Sequence, residues 1–470
     1  MRRLLRPQYC PCSSVLASVP GRVALLVLLW IALPGCSLRP GSSYPSSRSS
    51  TLPAPVAQVW ASATGSPPSA RYAPELKALE RAALSNPHDA KAQARYGTAM
   101  VGAGEVHAGI AHLRRAVAIN PGLTAAWHNI GLTSQRLGWV DVAADAYEHV
   151  VATEPNHGRE WIKLGYIDMQ LGRYREAERA FHCAARLEPA ASEPLVGIAS
   201  LHYADFHFDA AIADLKQAIV VNPSSAAAYA NMAAIYIELG QFANAEGAIR
   251  TAISMDPASS RNHLTLARIL ASSPVSLKQE EAQRELDYVL GSGRGVGRPI
   301  PARAEREKDI GEEKHIEEEK DTAEEEAEAE YYLGDLARRS GKRAEALTHF
   351  RRSNALAPQR PDAMLALGHA LVARAGSDAF EGARLLRQYK QAKDLQQDEV
   401  RLRQMVEEHP SDSGIRLRYG KLLSIQGNTG RAVWELRQAL RLNQRDRVVR
   451  RALSEALRIQ GREEEADAIH

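Results

Sequence analysis

Proline recurs at Pro87, Pro121, Pro155, Pro189, Pro223 and Pro257, five successive intervals of 34 residues. A fixed period of this length marks a stacked repeat and restricts the chain to architectures that grow in one dimension. Two further series share the period. Gly97, Gly131 and Gly165 continue as Ala199, Ala233 and Ala267, and Ala143, Ala177, Ala211 and Ala245 form a second row. Small residues at fixed offsets are expected where one helix lies close against another.

Within each period, apolar residues recur at helical spacing in two runs joined by a short turn. The spacing predicts a lone helix over 74–87, then helix pairs at 90–123, 124–157, 158–191, 192–225 and 226–259, and a looser sixth pair at 260–290. Gly104, Gly138, Gly172 and Gly240 occupy the turn, where a left-handed residue ends a helix. The proline then closes the second helix, because it drives the residue before it out of helical conformation.

The register breaks at "GSGRGVGRP", Gly291–Pro299. With no preceding strand and no P-loop lysine, this glycine run reads as a joint and not as a phosphate cradle. Residues 301–330 hold 5 basic and 14 acidic side chains and have almost no apolar face, so they read as a solvated helix or as disorder. The register returns at Gly334, Gly341, Ala346, Phe350 and Pro358, and again at Gly420, Gly427, Ala432 and Ala439. Gly368 and Gly420 are 52 residues apart, 18 more than a period, and neither proline nor glycine interrupts Ala383 to His409. A long or broken helix is expected there.

The N-terminus is of another kind. Arg2, Arg3, Arg6 and Arg22 precede the apolar run "VALLVLLWIALPGC", Val23–Cys36, which is too short to span a bilayer comfortably but has the length of a secretory signal core. Its end, Leu33-Pro34-Gly35-Cys36-Ser37, resembles a bacterial lipobox. That resemblance implies lipidation of Cys36 and, with Ser37 following, an outer-membrane anchor facing the periplasm. A plain signal peptide or a weak membrane anchor is the alternative. Ser, Pro and Ala dominate the next stretch, which reads as a flexible tether with a reach of about 35 Å. The expected organisation is therefore a signal at 1–36, a tether at 37–73, a repeat array at 74–290, a charged insertion at 291–326 and a second array at 327–470.

The spacing Trp161-x-x-Leu164-Gly165, Ala177-x-x-x-Phe181, Ala184 and Pro189 resembles the tetratricopeptide repeat, and Trp127, Ile130, Gly131, Ala143, Tyr147 and Pro155 match it again. The resemblance implies an all-α, right-handed solenoid of helical hairpins, here with a charged insertion. It also implies a concave groove lined by the first helix of each pair. Asn129, Tyr166, Met169, Tyr203 and Asn231 fall at groove positions, with Asn129 and Asn231 where some members of the family hold a peptide backbone.

Other chemistry is sparse. His182 and Cys183 adjoin the small inward residue Ala184, so packing and surface explain them. The pairs His107/His112 and His202/His207 are five apart and do not share a helix face well, and Cys10-Pro11-Cys12 has no second ligand pair. No nucleophile elbow or paired-carboxylate motif occurs, so no enzyme activity, cofactor, metal or small-molecule substrate is expected. A net charge of +3 carries no nucleic-acid footprint, although residues 331–470 are mildly basic, with 26 basic against 18 acidic side chains. The expected role is a protein–protein scaffold of the bacterial envelope. It would serve pilus, secretion or cell-wall assembly, with polysaccharide synthesis or export as the alternative.

Overall fold

The computed structural model describes residues 73–273, 275–292, 313–374 and 376–469. Cys36, the signal-like run and the tether lie outside them. Among the described residues there are 21 α-helices and no strand. They are α1 (Ala73–Ser85), α2 (Ala90–Gly102), α3 (Val106–Ile119), α4 (Thr124–Arg136), α5 (Val140–Thr153), α6 (Gly158–Leu171), α7 (Tyr174–Leu187), α8 (Glu193–Ala204), α9 (Phe208–Val221), α10 (Ala226–Glu238) and α11 (Phe242–Met255). Then come α12 (Ser260–Ala271), α13 (Ser276–Ser292), α14 (Glu313–Arg339), α15 (Arg343–Leu356), α16 (Pro361–Val372), α17 (Ser377–Glu408), α18 (Ser413–Ile425), α19 (Thr429–Leu442), α20 (Arg447–Ile459) and α21 (Glu463–Asp467). The helices form two compact units, α1–α8 with α19–α21, and α9–α18.

Local chemistry sets the repeat. Gly104, Gly138, Gly172 and Gly240 hold φ between +69° and +89° at the turn between the two helices of a pair. Phe206 stands in the same slot at φ +60°, in the left-handed region that side chains with a Cβ disfavour. At the other turn, the Asn-Pro step is reinforced by the asparagine: Asn120 Oδ1 accepts from Gly122 N and Asn222 Oδ1 from Ser224 N, both at 3.1 Å. The periodic proline has a second use. Trp127 Nε1 donates to the Pro121 carbonyl at 2.9 Å and Trp161 Nε1 to the Pro155 carbonyl at 2.8 Å. His263 Nε2 lies 3.0 Å from the Pro257 carbonyl and Arg416 Nε donates to that of Pro410 at 2.9 Å. Three residue types thus tie the same register position to a carbonyl six residues back.

Within the first unit, helices of a pair pack closely, and each pair rests on the next. Phe181 shows why the small residues recur. It is fully buried, and a Cβ on Gly165 or Gly197 would come within 2.6 Å or 2.5 Å of its ring. Ala177, Ile198 and Leu201 complete that layer. Cys183 is buried and unoxidised, while His182 is exposed. The last three helices return to this unit: α19 packs on α5 and α6, and Trp434 joins the cluster of Tyr147, Leu164 and Ile167.

In the second unit the stack carries on across the charged insertion. Leu264, Leu286 and Leu333 share one core, and Arg339 Nη1 donates to the Ala271 carbonyl at 2.8 Å. Burial begins at Ala327, but the helix itself begins at Glu313, so the acidic run is continuous with the first helix of the next pair. The 18 extra residues lie in α17, one unbroken helix of 32 residues. Its first half meets α16, where Gly382 would bring a Cβ within 2.7 Å of the Gly368 carbonyl. Leu402 and Val406 are buried in its second half, toward α18.

Candidate protein-binding face

The first helices of neighbouring pairs in the first unit touch one another: α2 meets α4, and α6 meets α8. Polar side chains tie this row together. Asn129 Nδ2 donates to Thr98 Oγ1 at 2.9 Å, joining α4 to α2. His128 Nδ1 lies 3.2 Å from Glu160 Oε2, joining α4 to α6, and Lys163 Nζ donates to Glu160 Oε1 at 3.1 Å. Tyr166 O–H donates to the Glu193 carbonyl at 3.3 Å, reaching the start of α8.

Glu160 is the electrostatic hinge of the row. Burial works against its ionisation, but the His128 hydrogen bond and the Lys163 ammonium outweigh it and hold its carboxyl below the usual range. Lys163 also stands over the Tyr147 ring at 5.7 Å. Glu160 was not a groove candidate from sequence. A glutamate in the first turn of a helix reads as a dipole partner, and only the neighbouring helix shows that it is a crosslink.

The five groove candidates divide. Asn129, Tyr166 and Met169 are half-buried on the first-helix row. Tyr166 sits edge-on to Phe181, with centroids 5.0 Å apart, and Met169 packs on the same layer. One N–H of the Asn129 amide is given to Thr98, which leaves its second N–H and its carbonyl oxygen to meet a ligand. Tyr203 and Asn231 differ from expectation: both are buried, at 9% and 5% exposure. Tyr203 belongs to the first unit and Asn231 to the second.

Among the described residues no group of three His, Cys, Asp or Glu is placed to hold a metal ion. No described helix is long and apolar enough to cross a membrane. What the geometry offers is a rigid helical face with half-exposed aromatic, thioether and amide groups. That defines a helical-repeat protein of the interaction type.

The chain carries tetratricopeptide repeats, with models of that repeat matching residues 124–157 and 202–269. No curated protein matches it. Among solved structures it is similar to YrrB, a TPR protein with an unusual peptide-binding site, at 17% identity over 40% of this chain and 96% of that one, TM-score 0.34. It is also similar to PilW, a widely conserved type IV pilus biogenesis factor, at 15% identity over 44% and 95%, TM-score 0.38. Human IFIT1, solved as a dimer with PPP-AAAA, is similar at 14% identity over 76% and 73%, TM-score 0.40. These are likenesses of fold.

Proposed function

We propose that the chain is a non-enzymatic scaffold of the bacterial cell envelope, held to the outer membrane by lipid on Cys36. Its first-helix row receives a segment of a partner protein during assembly of an envelope machine such as a pilus, a secretion system or a cell-wall enzyme complex. The observation that carries the binding part is the crosslinked row from Thr98 to Glu193. It presents Asn129, Tyr166 and Met169 without needing to order itself first. Preorganisation of this kind lowers the entropic cost of binding. Aromatic contact area and a backbone-matching amide suit an extended or helical peptide. The envelope part is supported by the run Leu33-Pro34-Gly35-Cys36 behind a basic, apolar leader. Polysaccharide synthesis or export would use the same scaffold with a different client.

Two measurements test this. A partner captured with the mature chain should lose about 2 kcal/mol of affinity for Tyr166→Ala if that residue is an anchor. Arg179→Glu, an exposed change on the second-helix side, should leave binding unaltered. Wild-type affinity for both Tyr166→Ala and Asn129→Ala would remove the row as the site. Separately, Cys36→Ser should release the protein from membranes or leave it unprocessed. Membrane partition and gel mobility like wild type would end the lipoprotein reading.

A further inference from the structure

Neighbouring pairs in a solenoid contact each other because they are adjacent in sequence. One contact in the first unit is different. Arg462 meets Asp141 across 321 positions, and Arg114 meets Glu465 across 351. The receiving surface is the edge formed by three successive turns between first and second helices, those at His107, at Gly138–Asp141 and at Gly172–Arg173. Here α5 presents Asp141, Asp145 and Glu148 at i, i+4 and i+7, one acidic row. Opposite stands α19, with Arg437 and Arg441 at i and i+4. Arg437 Nη1 lies 2.7 Å from Asp141 Oδ2, and both arginines act on Asp145. Glu465 is shared by Arg114, Arg437 and Arg462 at 2.9, 2.7 and 2.8 Å. Beside this network, Arg173 stacks on Trp434 at 4.9 Å, and Gly430 sits where a Cβ would be 2.7 Å from the Gly138 carbonyl.

The tail adds Trp434 to the neighbouring cluster of Tyr147, Leu164 and Ile167, but not every core on this edge includes it. The α4–α5 pair closes its own core on Ile130, Val142 and Ala146. A buried ion network is weak as a source of stability but selective for one arrangement of charges. We propose that the α5 edge is a docking site for a basic amphipathic helix, and that α19–α21 are its resident occupant, displaceable by a protein segment of the same chemistry. The site is separate from the first-helix row and does not depend on that reading.

The test uses the full-length protein and, as probe, a fluorescent synthetic peptide of residues 429–467. Arg437→Glu with Arg462→Gln weakens the resident tail. Gly430→Leu weakens it sterically and serves if the charge variant misfolds by circular dichroism. The tail-weakened protein should bind the peptide at least about ten-fold tighter than wild type. Hydrogen exchange in 429–467 should accelerate about ten-fold while α10–α13 keep their protection. Adding Asp141→Asn and Asp145→Asn should abolish peptide uptake, and Tyr166→Ala should leave it unchanged. Three results would overturn the proposal: equal peptide uptake in wild-type and tail-weakened protein, undiminished uptake after the aspartates are neutralised, or loss of protection in α10–α13 together with the tail. The last would make α19–α21 an inseparable part of the fold.

Discussion

The Arg462 guanidinium reaches Asp141 Oδ1 at 2.9 Å, with both side chains only 1% exposed. Removing one partner of such a pair leaves the other charge buried, which costs about 3–5 kcal/mol. Asp141→Asn leaves Arg462 with Glu465 as its remaining carboxylate and takes one partner from Arg437, so it should lower the stability measured by urea denaturation by at most about that much. Asp141→Leu combined with Arg462→Met removes both charges and should cost clearly less than the sum of the single changes. Strict additivity in this cycle would show that the two residues do not act as a pair.

The Phe181 layer gives a packing prediction. Ala177→Leu or Gly197→Leu forces extra methylenes against a buried ring and should cost about 1–3 kcal/mol. Phe181→Ala leaves a cavity and should cost about 3–5 kcal/mol. Thermal melts of the three variants would check this, and an unchanged midpoint for Gly197→Leu would mean the ring does not lie where it is placed.

Trp161 and Pro155 test the periodic carbonyl link. Trp161→Phe keeps most of the apolar contact but loses the donor, and the carbonyl is accessible enough to recover a water. A loss of about 0.5–1.5 kcal/mol is expected. Trp127→Phe should behave alike, because the same geometry recurs 34 residues earlier. Denaturant midpoints that differ widely between the two would break the equivalence.

Phe206 occupies the slot that glycine fills in seven other turns. A left-handed residue with a Cβ costs about 1–2 kcal/mol, so Phe206→Gly should stabilise the protein by roughly 1 kcal/mol after loss of the ring's contact with Phe208. A destabilised variant in the same urea assay would show that the Phe206–Phe208 contact outweighs the backbone strain.

Asp168 governs a pH response. Burial pushes its carboxyl up to about 7, with Arg173 opposing. Because the folded pKa lies above the ordinary carboxylate value of 3.8, the native state binds the proton more tightly. That contribution to stability is full below pH 3.8 and is lost as pH rises through about 7, on the order of 4 kcal/mol in all. Asp168→Asn cannot ionise, so its urea midpoint should vary less between pH 5 and pH 8 than that of wild type. An identical pH slope would mean Arg173 keeps Asp168 ionised throughout.

The 34-residue period determined the hairpins, their turns and the close-packed layers, since each of these joins neighbours along the chain. It placed Ala177 where two helices lie close together, and it set Tyr166 and Met169 on the first helix of a pair. Tyr203 and Asn231 are buried where the period set groove positions, because repeat position specifies a direction on a helix but not what covers it. The period also left open whether the acidic run before Ala327 was helix or disorder, since a run of glutamates with no apolar face fits both. Only the tertiary structure joined Asp141 to Arg437, Arg462 and Glu465. Those residues look like ordinary solvated charges on amphipathic helices. A contact between segments 321 residues apart leaves no periodic trace, because a repeat specifies only contacts between neighbours along the chain.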